Sequence, residues 1–245
     1  MFDVYFKNLK DLLDTIETEE NENINIAAKK IAQCIQADGI VHVFGCGHSH
    51  MLAEELFYRA GGLAPINPIL IEDIMLHKGA VRSSQFEQKA DFAEQFLGNL
   101  SIQSGDVVLV ASTSGRNPVP IDVADFAKKQ GAFVITISSL LYTKGVDSRH
   151  KSGKFLSQAG DLAIDNHIKV GDALMEHEWL DVSFGSGSTV VGTAIVNAIM
   201  VDAINIMVEN NFTPPIFKSS NADGAVEHNR QIILKYKSRI PLLEK

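Results

Sequence analysis

Val107-Val108-Leu109-Val110 is apolar at every position. A strand with one wet face alternates apolar and polar residues. An unbroken run belongs to a strand covered on both faces, as in a parallel sheet with helices above and below. Four further runs read as strands: Ile40-Val41-His42-Val43-Phe44, Ile69-Leu70-Ile71, Phe133-Val134-Ile135-Thr136-Ile137 and Leu162-Ala163-Ile164. Between them lie stripes with apolar residues at i+3 and i+4. They fall at Phe2 to Ile16, Ile24 to Ile35, Met51 to Ala60, Ala90 to Leu97, Val119 to Lys129, Thr189 to Glu209 and about Gly224 to Lys237. Alternating strands and helices predict an α/β fold with a mainly parallel sheet. Such sheets bind ligands beyond the carboxyl ends of their strands, where strand order reverses. The loops that matter therefore follow residues 44, 71, 110, 137 and 164.

Two of those loops carry anion chemistry. Gly45-Cys46-Gly47-His48-Ser49 follows a strand and opens a helix. Glycines let backbone approach a ligand closely, a helix start offers unpaired N–H groups, and Ser49 adds a hydroxyl. Ala111-Ser112-Thr113-Ser114-Gly115-Arg116-Asn117-Pro118 follows the Val107–Val110 strand and supplies Ser112, Thr113, Ser114 and Asn117. Helix capping accounts for one such hydroxyl, not for all of them. Together the loops predict a phosphate site. A dinucleotide fingerprint is broken by His50, where the third glycine would stand, and no P-loop is present. No cofactor is expected. No set of residues has structural-zinc spacing, so no metal is expected either.

The 245 residues carry 30 Asp and Glu against 22 Lys and Arg, a net charge of −8. That balance argues against nucleic acid as a partner, because phosphate backbones are bound through clustered cations. Cys34 and Cys46 form no CxxC and no disulfide framework, which suits a reducing cytoplasm. Thr189 to Val208 is strongly apolar but interrupted by Asn197, Asp202 and Asn205. It reads as a buried or interface helix rather than a membrane span, and its excess apolar surface predicts a homodimer or homotetramer. The 139–158 connection, with Lys144, Arg149, His150, Lys151 and Lys154, is long enough to be a binding loop.

The strand-Gly-x-Gly-x-Ser-helix and strand-Ser-x-Ser-Gly-x-Asn-helix units resemble the sugar isomerase (SIS) domain. The resemblance runs over residues 24–211, with helices at 1–38 packing on the domain and a helical extension at 212–245. Gly47-His48-Ser49-His50 and Ala53-Glu54-Glu55-Leu56 look like the phosphoheptose isomerase branch. Ser112–Pro118, Gly187-Ser188-Thr189 and Gly192-Thr193-Ala194 are also similar to N-acetylmuramic acid 6-phosphate etherases. The resemblance implies a flavodoxin-like five-stranded parallel sheet in three αβα layers. It also implies a bound phosphosugar, a carbohydrate derivative, as the small-molecule partner. Ser49, Ser112, Thr113, Ser114 and Asn117 would hold its phosphate. Gly47, His48, Ser186 and Ser188 would face the sugar.

Isomerisation of an aldose phosphate moves a proton between adjacent carbons and needs a general acid/base. An etherase-type lyase needs one too, whereas a non-catalytic sensor would only bind. Glu55 lies within two turns of Ser49, and Glu72 follows the Ile69–Ile71 strand. In the family an essential Glu stands ten residues after the first-motif serine; here that place is Arg59. His228 opens the last helix, where several SIS enzymes supply a His, often from a neighbouring subunit. His177 is the next choice.

Overall fold

The computed structural model describes residues 1–244. Five strands form one all-parallel sheet in the order β2-β1-β3-β4-β5: β1 (Val41–Gly45), β2 (Ile66–Ile69), β3 (Val107–Ala111), β4 (Phe133–Ser138) and β5 (Leu162–Asp165). The chain goes outward from β1 to β2, returns to β3, and then runs the other way. The strand order therefore reverses between β1 and β3, the point at which such sheets leave a crevice.

The apolar run at the centre behaves as its composition demands. Val107, Leu109 and Ala111 face one core and Val108 and Val110 the other, in the two-residue alternation of a strand. Helices α1 (Phe2–Glu19), α2 (Asn21–Gln36), α3 (Met51–Leu56) and α8 (Ser188–Glu209) cover the first face. Helices α4 (Ala80–Glu87), α5 (Glu94–Leu97) and α6 (Pro118–Lys129) cover the second, where Phe86 stacks on Phe92 and Phe92 meets Phe96 edge to face. Short α7 (Tyr142–Gly145) begins the 139–158 connection, and α9 (Ala225–Tyr236) lies in the C-terminal extension. Among the described residues, α8 is the one helix long and apolar enough to cross a membrane. Its Val191, Ile195, Val196, Ile199 and Ala203 are buried in the domain core, whereas Val190, Val201 and Val208 are exposed.

Several boundaries differ from the sequence reading. The second strand is Ile66–Ile69, not Ile69–Ile71. Pro68 sits within it because β2 is an edge strand, where a missing N–H breaks no ladder on the open side. The Met51 stripe stops as α3 at Leu56, since Phe57 is extended and Tyr58 left-handed. Of the Ala90–Leu97 stripe only Glu94–Leu97 is helical, and the helix Ala80–Glu87 has no apolar stripe that would announce it.

The C-terminal extension packs at the amino ends of the strands, opposite the crevice. Phe217, Tyr236 and Ile240 bury themselves against Ile40 and Ala64. A polar knot beside them ties the two together. Asp106, 2% exposed, accepts from Ile40 N at 2.9 Å, Gln103 N at 2.8 Å, His42 Nε2 at 3.1 Å and Arg239 at 2.6 Å. Asn67 donates to His42 Nδ1 at 2.9 Å, so the proton sits on Nε2 and points at Asp106. Burial pushes the Asp106 carboxyl up, but the bonds from His42, Ile40 and Gln103 outweigh it and hold the group below its ordinary value.

Replacing Asp106 by Ala strands a buried His42 and the Arg239 guanidinium, a loss of about 3–5 kcal/mol in urea unfolding. The depressed carboxyl also sets a sign. Its stabilising contribution is present above the unfolded pKa near ~3.9 and is lost as pH falls through the lower folded value. The D106A penalty should therefore shrink under acid conditions.

Candidate functional site

At the β1/β3 switch point, β1 ends in Gly45 and the chain turns at once. A Cβ on Gly45 would lie 2.4 Å from the Ser49 carbonyl, so only glycine permits this tight return. Gly47 is left-handed, φ +53, and residues Gly47–His50 form a 3-10 turn that runs into α3. Ser49 lies inside that turn, donating its backbone N–H to Cys46 O at 2.9 Å, rather than acting as a helix N-cap. On the neighbouring strand, Ser112 N–H donates to Ile137 O at 3.0 Å, continuing the β3–β4 ladder to the mouth of the loop.

These loops open onto a narrow crevice whose lining includes His48, Ser49, Ser112, Thr113, Asn166 and Ser188. The hydroxyls of Ser49, Ser112 and Thr113 bond to no other group among the described residues. The amino end of α8 forms the far wall. Asp172 already occupies it, accepting from Gly187 N at 3.2 Å, Ser188 N at 3.0 Å and Ser188 Oγ at 2.5 Å. A carboxylate at that position satisfies the helix end and its dipole. Free donors for an anion therefore lie on the β1 and β3 loops rather than on α8.

The other candidate residues fall in several places. Gly47 is in the first loop, beside the lining residues. Ser114 is half-buried in the second loop but is not part of the crevice wall, and Ser186 is exposed, its carbonyl accepting from Tyr5 Oη at 2.9 Å. Glu55 turns away from the crevice, ion-paired with Arg59 and accepting from Asn197 at 2.8 Å. Glu72 is exposed and pairs with Lys78 at 3.1 Å. His228 bonds to the Ile216 carbonyl at 2.8 Å in the C-terminal extension, far from its own crevice. His177 lies on an exposed excursion of residues 176–183 with Trp179 and Val182. Several polar groups of the basic loop are engaged within the fold: Arg149 hydrogen-bonds Asn117, while His150, Lys151 and Lys154 face Asp122, Asp91 and Asp125.

Two residues escaped the sequence reading. Asn166, the residue after β5, is buried on the crevice wall. Glu87, at the end of α4, reaches beneath the two loops. Asn117 donates to it at 2.9 Å, and Arg149 donates to Asn117 at 3.0 Å, so Asn117 is engaged by protein on both of its side-chain atoms. Burial pushes the Glu87 carboxyl up, partly offset by the Asn117 bond and by the Arg149 charge. The Cys46 thiol, beside it, is pushed up by burial and by Glu87's charge, and burial takes Cys34 to about 12. Neither cysteine is an activated nucleophile. Among the described residues no group of three His, Cys, Asp or Glu is placed to hold a metal ion.

A flavodoxin-type sheet with paired Ser/Gly loops at its switch point defines the SIS class of α/β proteins. The SIS-domain family profile matches residues 4–139, and the chain belongs to that family. It is also 52% identical over 243 residues to a UPF0309 protein of Geobacillus thermodenitrificans, covering 99% of this chain and 98% of that one. A UPF0309 protein of Listeria innocua is 53% identical over 232 residues, covering 95% and 94%. Among solved structures, a phosphoheptose isomerase from Francisella tularensis matches with TM-score 0.53 at 18% identity, over 83% of this chain and 96% of that one. The sugar isomerase domain of an RpiR transcription factor from Sphaerobacter thermophilus matches with TM-score 0.50 at 14% identity, over 95% of each. Enzyme and regulator thus share the fold.

The two loop glycines should respond differently to alanine. Gly45→Ala forces the Ser49 backbone to move, an overpacking cost of about 1–3 kcal/mol, and should abolish thermal stabilisation by inorganic phosphate. Gly47→Ala meets open space and bears only the left-handed penalty of about 1–2 kcal/mol, so its phosphate response should survive. Thermal melts with and without phosphate separate the two.

Proposed function

We propose that this protein binds a phosphosugar in the crevice and isomerises it by general acid/base proton transfer. One observation carries the binding half: the unengaged hydroxyls of Ser49, Ser112 and Thr113 converge from both sides of the switch point. A phosphate monoester supplies the acceptors they lack, and its charge makes each bond stronger than a neutral one. The catalytic half rests on Glu87. An aldose–ketose shift needs a group that takes a proton from one carbon and returns it to the next, and a carboxyl raised toward neutrality can exchange it in both directions. Glu87 has the raised value and a position under both loops. Glu55 and Glu72 lack that position, being held by Arg59 and Lys78. An etherase-type lyase would use the same carboxyl, with a different product.

One observation favours a second reading, a phosphosugar sensor without turnover. The place of the family's essential Glu is Arg59, which neutralises Glu55, and the carboxylate nearest the crevice wall, Asp172, is taken up by the amino end of α8. The exposed apolar residues Val190, Val201 and Val208 of α8 support assembly as a homodimer or homotetramer, in a cytoplasmic setting consistent with two buried free thiols.

Ser49→Ala and Ser112→Ala should each weaken binding of a sugar phosphate by about 10- to 100-fold in calorimetric titration, the worth of a hydrogen bond to a charged group. Unchanged affinity in the double variant sinks the crevice. Glu87→Gln should keep binding and lose turnover, read by NMR of the sugar. Its stability shift has a definite sign. A raised carboxyl stabilises fully below the unfolded pKa near ~4.3, and that contribution is lost as pH rises through the folded value. At pH 8 the variant should therefore melt no lower than the parent. Wild-type turnover that survives in E87Q would assign the proton transfer elsewhere.

A further inference from the structure

Resting on that reading of the crevice as a phosphosugar site, we infer that Asn166 and Ser188 form a matched donor and acceptor that read one hydroxyl of the ligand. They thereby fix which end faces the phosphate loops.

Asn166 is 3% exposed and follows β5 directly. Its backbone N–H donates to Ser138 O at 3.1 Å. Its side-chain Oδ1 accepts from the Ile168 backbone N–H at 3.2 Å. A backbone N–H can only donate, so this contact settles which end of the amide is oxygen. His167 is left-handed at φ +52 and donates its N–H to Asp165 Oδ1 at 2.8 Å, a turn that sets Asn166 on the crevice wall. The Nδ2 amide has no partner among the described residues and is not sealed from the crevice. That leaves a donor that the protein does not use, free to hydrogen-bond an acceptor atom of a ligand in the crevice. Asn166 is a donor only.

Ser188 is the reverse. Asp172 can only accept, so the 2.5 Å contact uses the Ser188 hydroxyl proton. What Ser188 turns to the crevice is a lone pair. A hydroxyl group can accept from Asn166 and donate to Ser188 at once. A phosphate dianion has no proton for Ser188 and is repelled by Asp172 behind it. The phosphate therefore goes to Ser49, Ser112 and Thr113, and a hydroxyl-bearing carbon to the β5/α8 wall. The ligand class is a polyol or sugar monophosphate, not a simple alkyl phosphate.

Glycerol 3-phosphate and propyl phosphate carry the same charge and three carbons, and they differ in their free hydroxyls. Calorimetric titration of the full chain should give a preference for glycerol 3-phosphate of about threefold to tenfold, the worth of one or two net hydrogen bonds. Ser188→Ala and Asn166→Ala should each bring the ratio close to one, with propyl phosphate affinity little changed. Ser188→Ala leaves both backbone N–H groups on Asp172, so it carries the test if Asn166→Ala does not fold. Equal wild-type affinities for the two esters, or a ratio that survives Ser188→Ala, would overturn the inference while propyl phosphate binding upholds the phosphate crevice. Failure of the wild type to bind either ester or inorganic phosphate would instead remove the crevice reading, and this inference with it.

Discussion

β3 depends on cover from both sides, and most of the molecule can be understood as the means of providing it. Five residues, Val107–Ala111, have no wet face. Burying a strand that way requires helices on each side, and joining parallel strands through helices forces crossover connections. Once β1 and β2 lie on one side of β3 and β4 and β5 on the other, the chain must reverse its direction of growth between β1 and β3. The loops leaving those two strands then diverge, one toward each layer of helices, and a gap opens between them. The crevice is a consequence of the topology before any polar residue is placed in it. Ser49, Ser112 and Thr113 then set its chemistry.

A net charge of −8 does not prevent such a gap from holding an anion. The field of distant carboxylates is screened over about 8–10 Å in physiological salt, whereas a hydroxyl in contact acts undiminished. The local arrangement is also selective. Asp172 occupies the end of α8, which would otherwise be the strongest anion attractor in the crevice. With that end taken, the donors free for an anion are those of the β1 and β3 loops. In the basic 139–158 loop, Lys151 and Lys154 are ion-paired within the fold, so little of its charge is left for an anion.

The parts legible in sequence are those governed by local rules. Apolar runs marked the strands, i+3/i+4 stripes marked the helices, and glycine beside serine marked the two loops. What escaped depends on contacts between distant segments. Glu87 ends a short helix with no apolar stripe, and only folding brings it to Asn117, thirty positions away. Asn166 looks like an ordinary turn residue until its Oδ1 is seen to be used and its Nδ2 not. Glu55 is attractive in sequence because it lies within two turns of Ser49, and Glu72 because it follows an apolar run at the end of the sheet where ligands bind. Whether they face the crevice depends on the Arg59, Asn197 and Lys78 partners that turn them away. The apolar run Ile69-Leu70-Ile71 points to a strand a few residues late, because the true strand, Ile66–Ile69, contains Asn67 and Pro68, which an edge position tolerates.

The fold is shared by an isomerase and a regulator, so sheet and crevice alone do not decide between catalysis and sensing. The difference lies in whether a proton acceptor of suitable strength is held within reach of the bound ligand. Arg59 pairs with Glu55, the carboxylate nearest the family's usual position, whereas Glu87 lies buried beneath the loops. A buried carboxyl with a raised pKa is destabilising when charged, so a chain with no use for its acidity gains stability from a neutral residue there. Asn117 and Arg149 offset part of that penalty without abolishing it. A costly carboxyl directly beneath the two Ser/Gly loops is a feature that a proton-transfer site would need and a pure binding module would not.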